Sequence, residues 1–516
     1  LSATLTAVDD PIARARDAAM PDASKVATYR AYVLGQQPVT LSAEMQTDLA
    51  GILGNGYVDN LSRLAVQAAS DFLKLARIDI DADEGAERDA LADFIAQTWT
   101  LNQVPELSSD VHFAAYRDGN YAVGLSWDQR TGRVRFSQMD WWNGTRGAFV
   151  HYDEGGLADW ACYEWQEYDP ETTQTVGRRV VYYPERIERY ISQQGGDWKM
   201  YNLPDDWPEN ETPSEPKPVP WVDADNQPIG IPIVHFPSLL IPNHQPGTSA
   251  REQSRRYGLS LLAGGPLGVQ DAVNEAHYDL IAAARRTAFP IITATGVTQR
   301  IDPVTQQPIP IVATPGLLLS NPSEKASFGM LNPGDMSQLL NVLVDHHRTF
   351  ARMTNTPMQI VAETDKDAAS GVALLRMQLA AIRQARRGAT VFGSRWGMLF
   401  HKAVNLANAF GKAELDADLM LVGVYDPQEA SDIGVLAEVA RDMRDAGFPM
   451  RFILRTLGST DDQADEVMGW IDEEAGRNAD NFDREMNRQM LGAAAVARQG
   501  ADGGGTGEGE AQQGGD

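Results

Sequence analysis

Cysteine is almost missing. Cys162 is the only one in 516 residues, which excludes an intrachain disulfide and a multi-thiolate zinc site. That fits assembly in a reducing cytosol. Positive charge is also scarce: 44 Lys and Arg stand against 71 Asp and Glu, a formal net charge of −27. A conventional duplex-binding protein carries a basic face that neutralises phosphates, and this chain as a whole repels DNA. Two meanings of the acid excess stand side by side: a solvated surface that aids solubility, or a surface past which DNA slides without being gripped. No apolar run approaches the roughly 20 residues that span a bilayer, so no membrane partner is expected. Leu1 to Asp22 mixes Asp9, Asp10, Arg14, Arg16 and Asp17 with small residues and does not read as a signal peptide. The native start is expected to be trimmed or to lie upstream of Leu1.

Catalytic patterns are absent too. There is no G-x-x-x-x-G-K-[ST] loop and no G-x-G-x-x-G after a strand. No G-x-S-x-G occurs, and Gly393-Ser394 falls in a helical pattern where a nucleophile elbow cannot form. The 8 histidines are dispersed except for Asp345-His346-His347. Neighbouring residues on a helix point about 100° apart, so these two rings read as interface or surface histidines and not as metal ligands. Glu473-Glu474 reads as a solvated acidic face, not an acid–base pair. No cofactor and no metal are expected.

Hydrophobic content of 43% and charged content of 22% are those of a folding chain, and the length suggests two to four compact regions. Residues 1–80 read as helical, with apolar positions 57, 58, 61, 64/65, 68 and 72 on one face. Asp79 to Asp83 reads as an acidic loop, and Glu84 to Thr98 as an amphipathic helix. From about 111 to 240, short runs rich in Val, Tyr, Trp and Phe predict an antiparallel meander: Tyr121–Trp127, Val134–Met139, Ala161–Tyr168, Arg178–Tyr183 and Arg186–Tyr190. Leu203 to Pro220 carries six prolines and reads as an extended loop. Residues 251–287 return to helix, bent or interrupted at Gly264-Gly265-Pro266. The 288–333 stretch is β-like and proline-punctuated. Asp335 is expected to cap a helix with Met336, Leu339, Leu340, Leu343, Phe350 and Met353 on one face.

The longest periodic segment runs from Val372 to Phe410 through Leu375, Leu379, Ile382, Ala385, Ala389, Phe392, Trp396, Leu399, Ala403 and Leu406. A helix over 370–410 is about 60 Å long at 1.5 Å per residue, longer than a small domain is wide. Phe392 and Trp396 share the Leu399 stripe and are expected to be buried. Arg376, Arg383, Arg386, Arg387, Arg395 and Lys402 follow the same helix. They read as an exposed face pairing with acidic neighbours, or as intersubunit salt bridges in a ring with some DNA contact. Leu419–Tyr425 reads as a strand, Pro427 to about Asn487 as helical, and the Gly-, Asp-, Glu- and Gln-rich residues from Gly500 on as a disordered tail.

This order of elements resembles the portal proteins of tailed bacteriophages, in particular those of siphophages. Tyr32-Val33-Leu34-Gly35-Gln36-Gln37-Pro38 resembles the family's early tyrosine-glycine loop, and Asn60 to Leu73 its first helix. The best match is Phe350-Ala351-Arg352-Met353-Thr354-Asn355-Thr356-Pro357 followed by Ser370-Gly371-Val372-Ala373-Leu374. There an aromatic leads into a threonine-x-threonine-proline turn, and a serine-glycine-x-alanine-leucine sequence starts the longest helix. The resemblance covers roughly residues 25–455.

It implies an α+β portal fold with wing, stem, clip and crown regions, a long central helix and ring formation. Residues 1–250 then form the N-terminal helices and β-rich wing, 251–287 the first stem helix, and 288–334 the clip. Residues 335–355 form the second stem helix, 356–369 a tunnel loop, and 370–425 the hub helix and strand. Residues 426–490 form the crown, and 491–516 an acidic tail. The implied function is a ring of twelve subunits at one capsid vertex, the channel for packaging and ejecting double-stranded genomic DNA without sequence specificity. The implied partners are the terminase motor, head-completion or adaptor proteins, and the major capsid and scaffold proteins. The implied location is the virion, after assembly in the host cytoplasm. In the tunnel loop Met358, Ile360, Val361, Glu363, Asp365, Lys366 and Asp367 are the candidate DNA-facing residues. Arg376, Arg383, Arg386, Arg387, Phe392 and Trp396 are the candidate interface and hub residues. The competing readings are an adaptor or minor capsid protein, and a hydrolase using acidic residues.

Overall fold

The computed structural model describes residues 4–5, 10–20, 22–38, 58–82, 85–169, 173–193, 196–201, 216–238, 257–288, 292–295, 301–302, 304, 307, 325–330, 336–361, 371–411, 413–426, 440–441, 443–456, 465 and 467–471. It mixes helix and sheet. Two compact units divide the chain: Leu1–Ala368 with Arg376–Gln428, and Ala369–Leu375 with Glu429–Asp516.

The first unit opens with β1 (Thr4–Leu5), α1 (Pro11–Ala19) and α2 (Lys25–Val33). Asp10 caps α1 by accepting from the Ile12 and Ala13 amides at 3.0 and 3.2 Å, and Pro11 takes the first helical position. In α3 (Leu61–Asp71), Asn60 accepts from the Arg63 amide at 3.0 Å and donates to the Val33 carbonyl at 2.9 Å, which ties α2 to α3. Then come β2 (Leu75–Asp81), α4 (Ala86–Leu101) and α5 (Val104–Asp118).

The meander is real but divided between two sheets. Strands β5 (Gly147–Tyr152), β6 (Ala158–Asp169), β7 (Gln174–Tyr182), β8 (Arg186–Gln193) and β9 (Trp198–Met200) form an antiparallel run. That run is flanked by β1 on β9 and by β10 (Val219–Pro220) on β8. Strands β3 (Asn120–Asp128) and β4 (Arg133–Met139) belong to a separate three-stranded sheet with β11 (Ile233–Pro237). One apolar core, containing Trp141, Phe149, Tyr190 and Tyr257, lies with the larger sheet. The other gathers α3, α4, α5, β3 and the long helix.

Several sequence expectations need correction. Residues 75–81 are neither helical nor an acidic loop. They form β2, because the downstream strand β14 (Met420–Tyr425) pairs with it antiparallel, Ile80 facing Leu421 and Ile78 facing Gly423. A pairing so distant in sequence leaves no local trace. Helix α5 and strands β5 and β11 have no counterpart in the sequence reading. Helix α6 (Pro266–Ala288) begins at the expected interruption, and 257–265 is not helical while 251–256 lies outside the described residues; the proline opens the helix, where its missing N–H costs nothing. Gly264 and Gly265, both at positive φ, turn the chain into it. Helix α7 (Ser337–Thr354) has Met336 at its cap position, with no side-chain cap; Asp335 lies outside the described residues. The β-like stretch holds an antiparallel pair of strands, β12 (Ile292–Thr295) and β13 (Ser327–Met330). The 203–215 part of the proline-rich loop, Glu473-Glu474 and the tail from Gly500 lie outside the described residues.

Helix α8 (Met358–Val361) is a single turn after α7. The predicted long helix is α9 (Gly371–Gly411), 41 residues. Phe392, Trp396, Leu399 and Phe400 on it are fully buried. Its glycines explain how. A Cβ on Gly397 would stand 1.9 Å from the Leu421 carbonyl oxygen, and one on Gly393 2.5 Å from that of Gly423. These positions therefore let β14 lie directly on the helix backbone. In the second unit, α10 (Met450–Thr456) buries Ile453, and Arg451 pairs with Asp465 at 2.7 Å.

Trp396→Ala is expected to cost about 3–5 kcal/mol in denaturant titration, the range for emptying a packed aromatic site. Gly397→Ala is expected to cost about 1–3 kcal/mol by overpacking. Gly268→Ala on α6, where an added Cβ meets nothing within 4 Å, is expected to stabilise by up to about 1 kcal/mol. Equal effects of the two glycine changes would contradict the packing described.

Candidate functional site

The end of α7 carries the threonine-x-threonine-proline segment that the sequence singles out, leads into α8 and is tied to α9 through Asn355. Helix α7 buries Leu343, Phe350, Ala351 and Thr354 and leaves Leu340, Val342 and Met353 between 44% and 48% exposed. So only part of the predicted apolar stripe is covered within the chain. The helix ends at Asn355, whose φ of 55° is left-handed, a conformation asparagine tolerates better than most residues. The Thr356 amide reaches back to the Ala351 carbonyl at 2.9 Å. The Thr354 hydroxyl donates to the Phe350 carbonyl at 2.9 Å and meets the Thr356 hydroxyl at 2.7 Å. The Asn355 amide donates to Gln384 on α9 at 2.9 Å. The threonine-x-threonine-proline turn is thus a helix stop clamped onto the long helix, with Pro357 preventing its continuation.

Beyond Pro357 the predicted loop starts as a helical turn. Val361 is buried, Met358 is half-buried against the core, and Ile360 is 42% exposed. Glu363, Asp365, Lys366 and Asp367 lie outside the described residues.

The basic residues of α9 do not form one face. Arg383, Arg386 and Arg387 are exposed, whereas Arg395 is half-buried; Arg376 falls on the helix, and its side chain is not described. Lys402 donates to the Ile231 carbonyl at 2.8 Å, and burial pushes its pKa down to about 8. It ties the chain just before β11 to the helix and is not part of a surface cluster.

Polar groups that the sequence does not mark sit deepest. His112 on α5 is completely buried between Phe392, Trp396 and Tyr425. Its Nε2 accepts from the Trp396 indole at 3.2 Å and lies 2.8 Å from the Tyr425 hydroxyl. Burial pushes its pKa down to about 3, partly offset by the Leu73 backbone. His235 on β11 stacks on Trp141 at 4.2 Å and lies 2.9 Å from the Asn120 amide oxygen and 3.0 Å from the Tyr152 hydroxyl. Burial holds it neutral as well. A lone histidine within an apolar helical pattern gives no signal beyond its position.

Asp59, just before α3, is gripped by α6. The Gln270 side chain donates to its carbonyl, and its amide donates to Asn274 at 3.1 Å. Its carboxylate faces His347 on α7 at 3.2 Å and His277 on α6 at 4.0 Å. His347 is therefore in contact with Asp59 within the chain, and His346 is half-buried beside it. Among the described residues no group of three or more His, Cys, Asp or Glu is placed to hold a metal ion, and no helix is long and apolar enough to cross a membrane. Two open clefts on the larger sheet, about 650 and 540 Å³, carry the carboxylates of Asp140 and Glu164. Arg30 holds the first, and Arg16 with Arg179 the second.

A family model described as "Phage portal protein, SPP1 Gp6-like" matches residues 53–480. No curated protein matches the chain. Among solved structures, a chain from "Neck of empty GTA particle computed with C6 symmetry" is 14% identical with a TM-score of 0.38; the match covers 82% of this chain and 96% of that one. A chain from "Neck of native GTA particle computed with C12 symmetry" is 12% identical with a TM-score of 0.37, covering 87% and 99%.

Two outcomes are expected from this geometry. A histidine kept neutral in the fold contributes stability that is complete above the unfolded pKa near 6.5 and is lost as pH falls through the window down to its folded value. For His112 that window runs from about 6.5 to about 3, with a slope approaching about 1.4 kcal/mol per pH unit. His112→Gln is expected to flatten the acid limb of a stability–pH curve by that amount; an unchanged slope would contradict the assignment. Asn355→Ala is expected to cost about 1–2 kcal/mol through left-handed strain and the lost bond to Gln384. Asn355→Gly, relieved of the strain, is expected to cost less.

Proposed function

The chain belongs to the SPP1 Gp6-like family of phage portal proteins, and from that premise we propose that it assembles as a ring of twelve at one capsid vertex and forms the channel for genomic DNA. The observation that carries this reading is the family match across residues 53–480, which spans both compact units. Unsatisfied surface supports it. Leu340, Val342 and Met353 on α7 and Ile360 on α8 are apolar side chains left uncovered within one chain. A ring of identical subunits covers such a face by heterologous contacts that close on themselves.

In this reading residues 1–250 make the wing, and 251–287 and 335–355 supply the stem, whose helical parts begin at Pro266 and Ser337. Residues 288–334 make the clip, where the terminase motor and the head-completion or adaptor proteins dock. Residues 370–425 make the hub, 426–490 the crown and 491–516 an acidic tail, with capsid and scaffold proteins as outer partners. The location is the virion, reached after assembly in the host cytoplasm. The chain acts as a structural conduit and not as a catalyst. Its acid excess keeps phosphates from sticking: neutralising 6–10 of them makes binding change by about 10³–10⁵ between low and moderate salt, which is a brake on translocation.

Residues 356–369 form the tunnel loop. Val361 anchors its start in the core, while Met358 and Ile360 offer DNA apolar contact without specific bonds. Glu363, Asp365 and Asp367 repel phosphate or pair with neighbouring subunits, and Lys366 contacts the backbone. Arg376, Arg383, Arg386 and Arg387 on the long helix meet acidic groups of the adjacent subunit. Phe392 and Trp396 are core residues that hold that helix in place.

Electron microscopy of the purified protein is expected to show rings with a central hole of duplex width. A strictly monomeric mass at micromolar concentration without rings would overturn the assembly. Deleting Ile360 to Asp365 is expected to leave rings intact and to reduce packaged or retained genome per capsid. Normal packaging by intact variant rings would remove the loop from the mechanism.

A further inference from the structure

The larger sheet carries a groove that a channel for DNA does not use. Strand β5 stops pairing at Gly147, opposite Glu164, so β6 runs on from Trp165 to Asp169 with β7 as its only strand neighbour among the described residues. The two clefts of about 650 and 540 Å³ meet there and share Thr145, Trp165 and Gln166. The smaller one crosses the strands. The register sets Gln166 beside Gly177 and Gly177 beside Ser192, and a Cβ on Gly177 would stand 3.0 Å from the Trp198 ring on β9. From β6 to β9 are three strand spacings, about 14 Å. Trp165 is half-buried and stacks on Tyr163 at 5.4 Å. Among the described residues its indole N–H meets no acceptor. The lining carboxylates, Asp140 and Glu164, are already matched by arginines. Arg146 at the rim is exposed and meets no carboxylate among the described residues.

We propose that this groove seats the chain's own proline-rich segment, Leu203 to Glu215, in the polyproline II conformation. Where the segment leaves and rejoins the sheet puts it within reach. The Tyr201 amide donates to the Arg189 carbonyl on β8 at 3.0 Å, and Val219 of β10 faces Ile187 on the same strand. The stretch between them, Asn202 to Pro218, therefore leaves β8 and returns to it. Extended, it measures about 55 Å, enough to reach out about 25 Å and come back. Trp198, at the start of β9, lies only about 10 Å from Tyr201 along the strand. The chemistry of groove and segment matches. Pro204, Pro208 and Pro213 favour polyproline II, whose carbonyls have no internal partner and so are open to the Trp165 indole N–H. Proline rings dock on aromatic faces such as Trp165 and Trp198. At about 3.1 Å per residue, four or five residues fill the crossing from β6 to β9. The charged residues of the segment, Asp205, Asp206, Glu209, Glu211 and Glu215, are all acidic and suit the unmatched Arg146.

Cleavage of the full-length chain after Glu209 and Glu211 by a glutamate-specific protease tests this, because cutting tracks the undocked population. Rates are read by mass spectrometry and normalised to the free peptide of the same sequence. An effective concentration of about 1 mM acting on a contact of about 0.1 mM affinity keeps the segment seated roughly ten to one. Trp165→Ala is therefore expected to speed both cuts about tenfold, as is the combination of Pro204→Ala, Pro208→Ala and Pro213→Ala. Arg146→Glu is expected to speed them less. Should Trp165→Ala not fold, the proline variant and Arg146→Glu decide the matter. A labelled peptide of the sequence Leu203–Pro216 is expected to bind a chain in which 203–215 is replaced by a glycine-serine linker of equal length, and not the wild type, whose groove is filled. Unchanged cutting in the variants, or equal peptide binding by the two chains, would overturn the proposal. Protection that rises with protein concentration would assign the groove to the segment of a second copy and overturn it as well. None of these results bears on whether the chain forms a ring.

Discussion

Backbone lies on backbone where α9 meets β14. At Gly397 a single added carbon would stand 1.9 Å from the Leu421 carbonyl oxygen. That closeness lets Trp396 reach past the strand into the core, where its indole donates to His112. It also brings Tyr425 at the end of β14 onto the same imidazole. Helix α5, strand β14 and the long helix are therefore held by one polar atom inside an aromatic cage. A buried network of this kind is costly when any member is missing and specifying when all are present. The pairing of β14 with β2 then follows, since β14 is already fixed from the other side.

The second constraint is charge. The chain is strongly acidic, yet its buried arginines are matched within the fold. Arg179 meets Asp10 at 2.5 Å and Glu164 at 3.0 Å, and lies over the Trp198 ring. Arg16 meets the same Glu164 at 2.8 Å and covers Trp142 at 3.4 Å. Arg30 joins Asp118 and Asp140. Such pairs contribute less to stability than to uniqueness, because desolvation offsets much of their attraction. They tie α1 to β6 through Arg16, and α2 to the end of α5 and to the residue after β4 through Arg30. Interior charge is thereby largely cancelled, and the acid excess is left for the surface.

Legibility from sequence followed the range of the interaction. The long helix was readable because a stripe from Val372 to Phe410 repeats within a few residues, and Phe392 and Trp396 fell on it. Strands β3, β4, β6, β7 and β8 were readable from their aromatic and β-branched runs between turn residues, whereas β5 between them was not. Strand β2 was not, since Leu75–Asp81 becomes a strand only when Met420–Tyr425 arrives beside it. The basic residues of the long helix looked alike in sequence, yet Lys402 is drawn inward by the Ile231 carbonyl just before β11 while Arg383 and Arg387 are exposed. His112 and Asp59 carried no mark in the sequence.

What the sequence by itself determined is the class of the molecule. One cysteine, an acid excess and no nucleotide or nucleophile motif bounded the chemistry, and the ordered threonine, proline and long-helix segments pointed to the portal family. These are properties of composition and of local periodicity, which need no partner to be read. The tertiary structure alone decided which polar groups are buried together. His112 with Trp396 and Tyr425, and Asp59 with His277 and His347, are brought together from distant parts of the chain. Their chemistry arises from desolvation and proximity, and neither exists until the chain has closed around them.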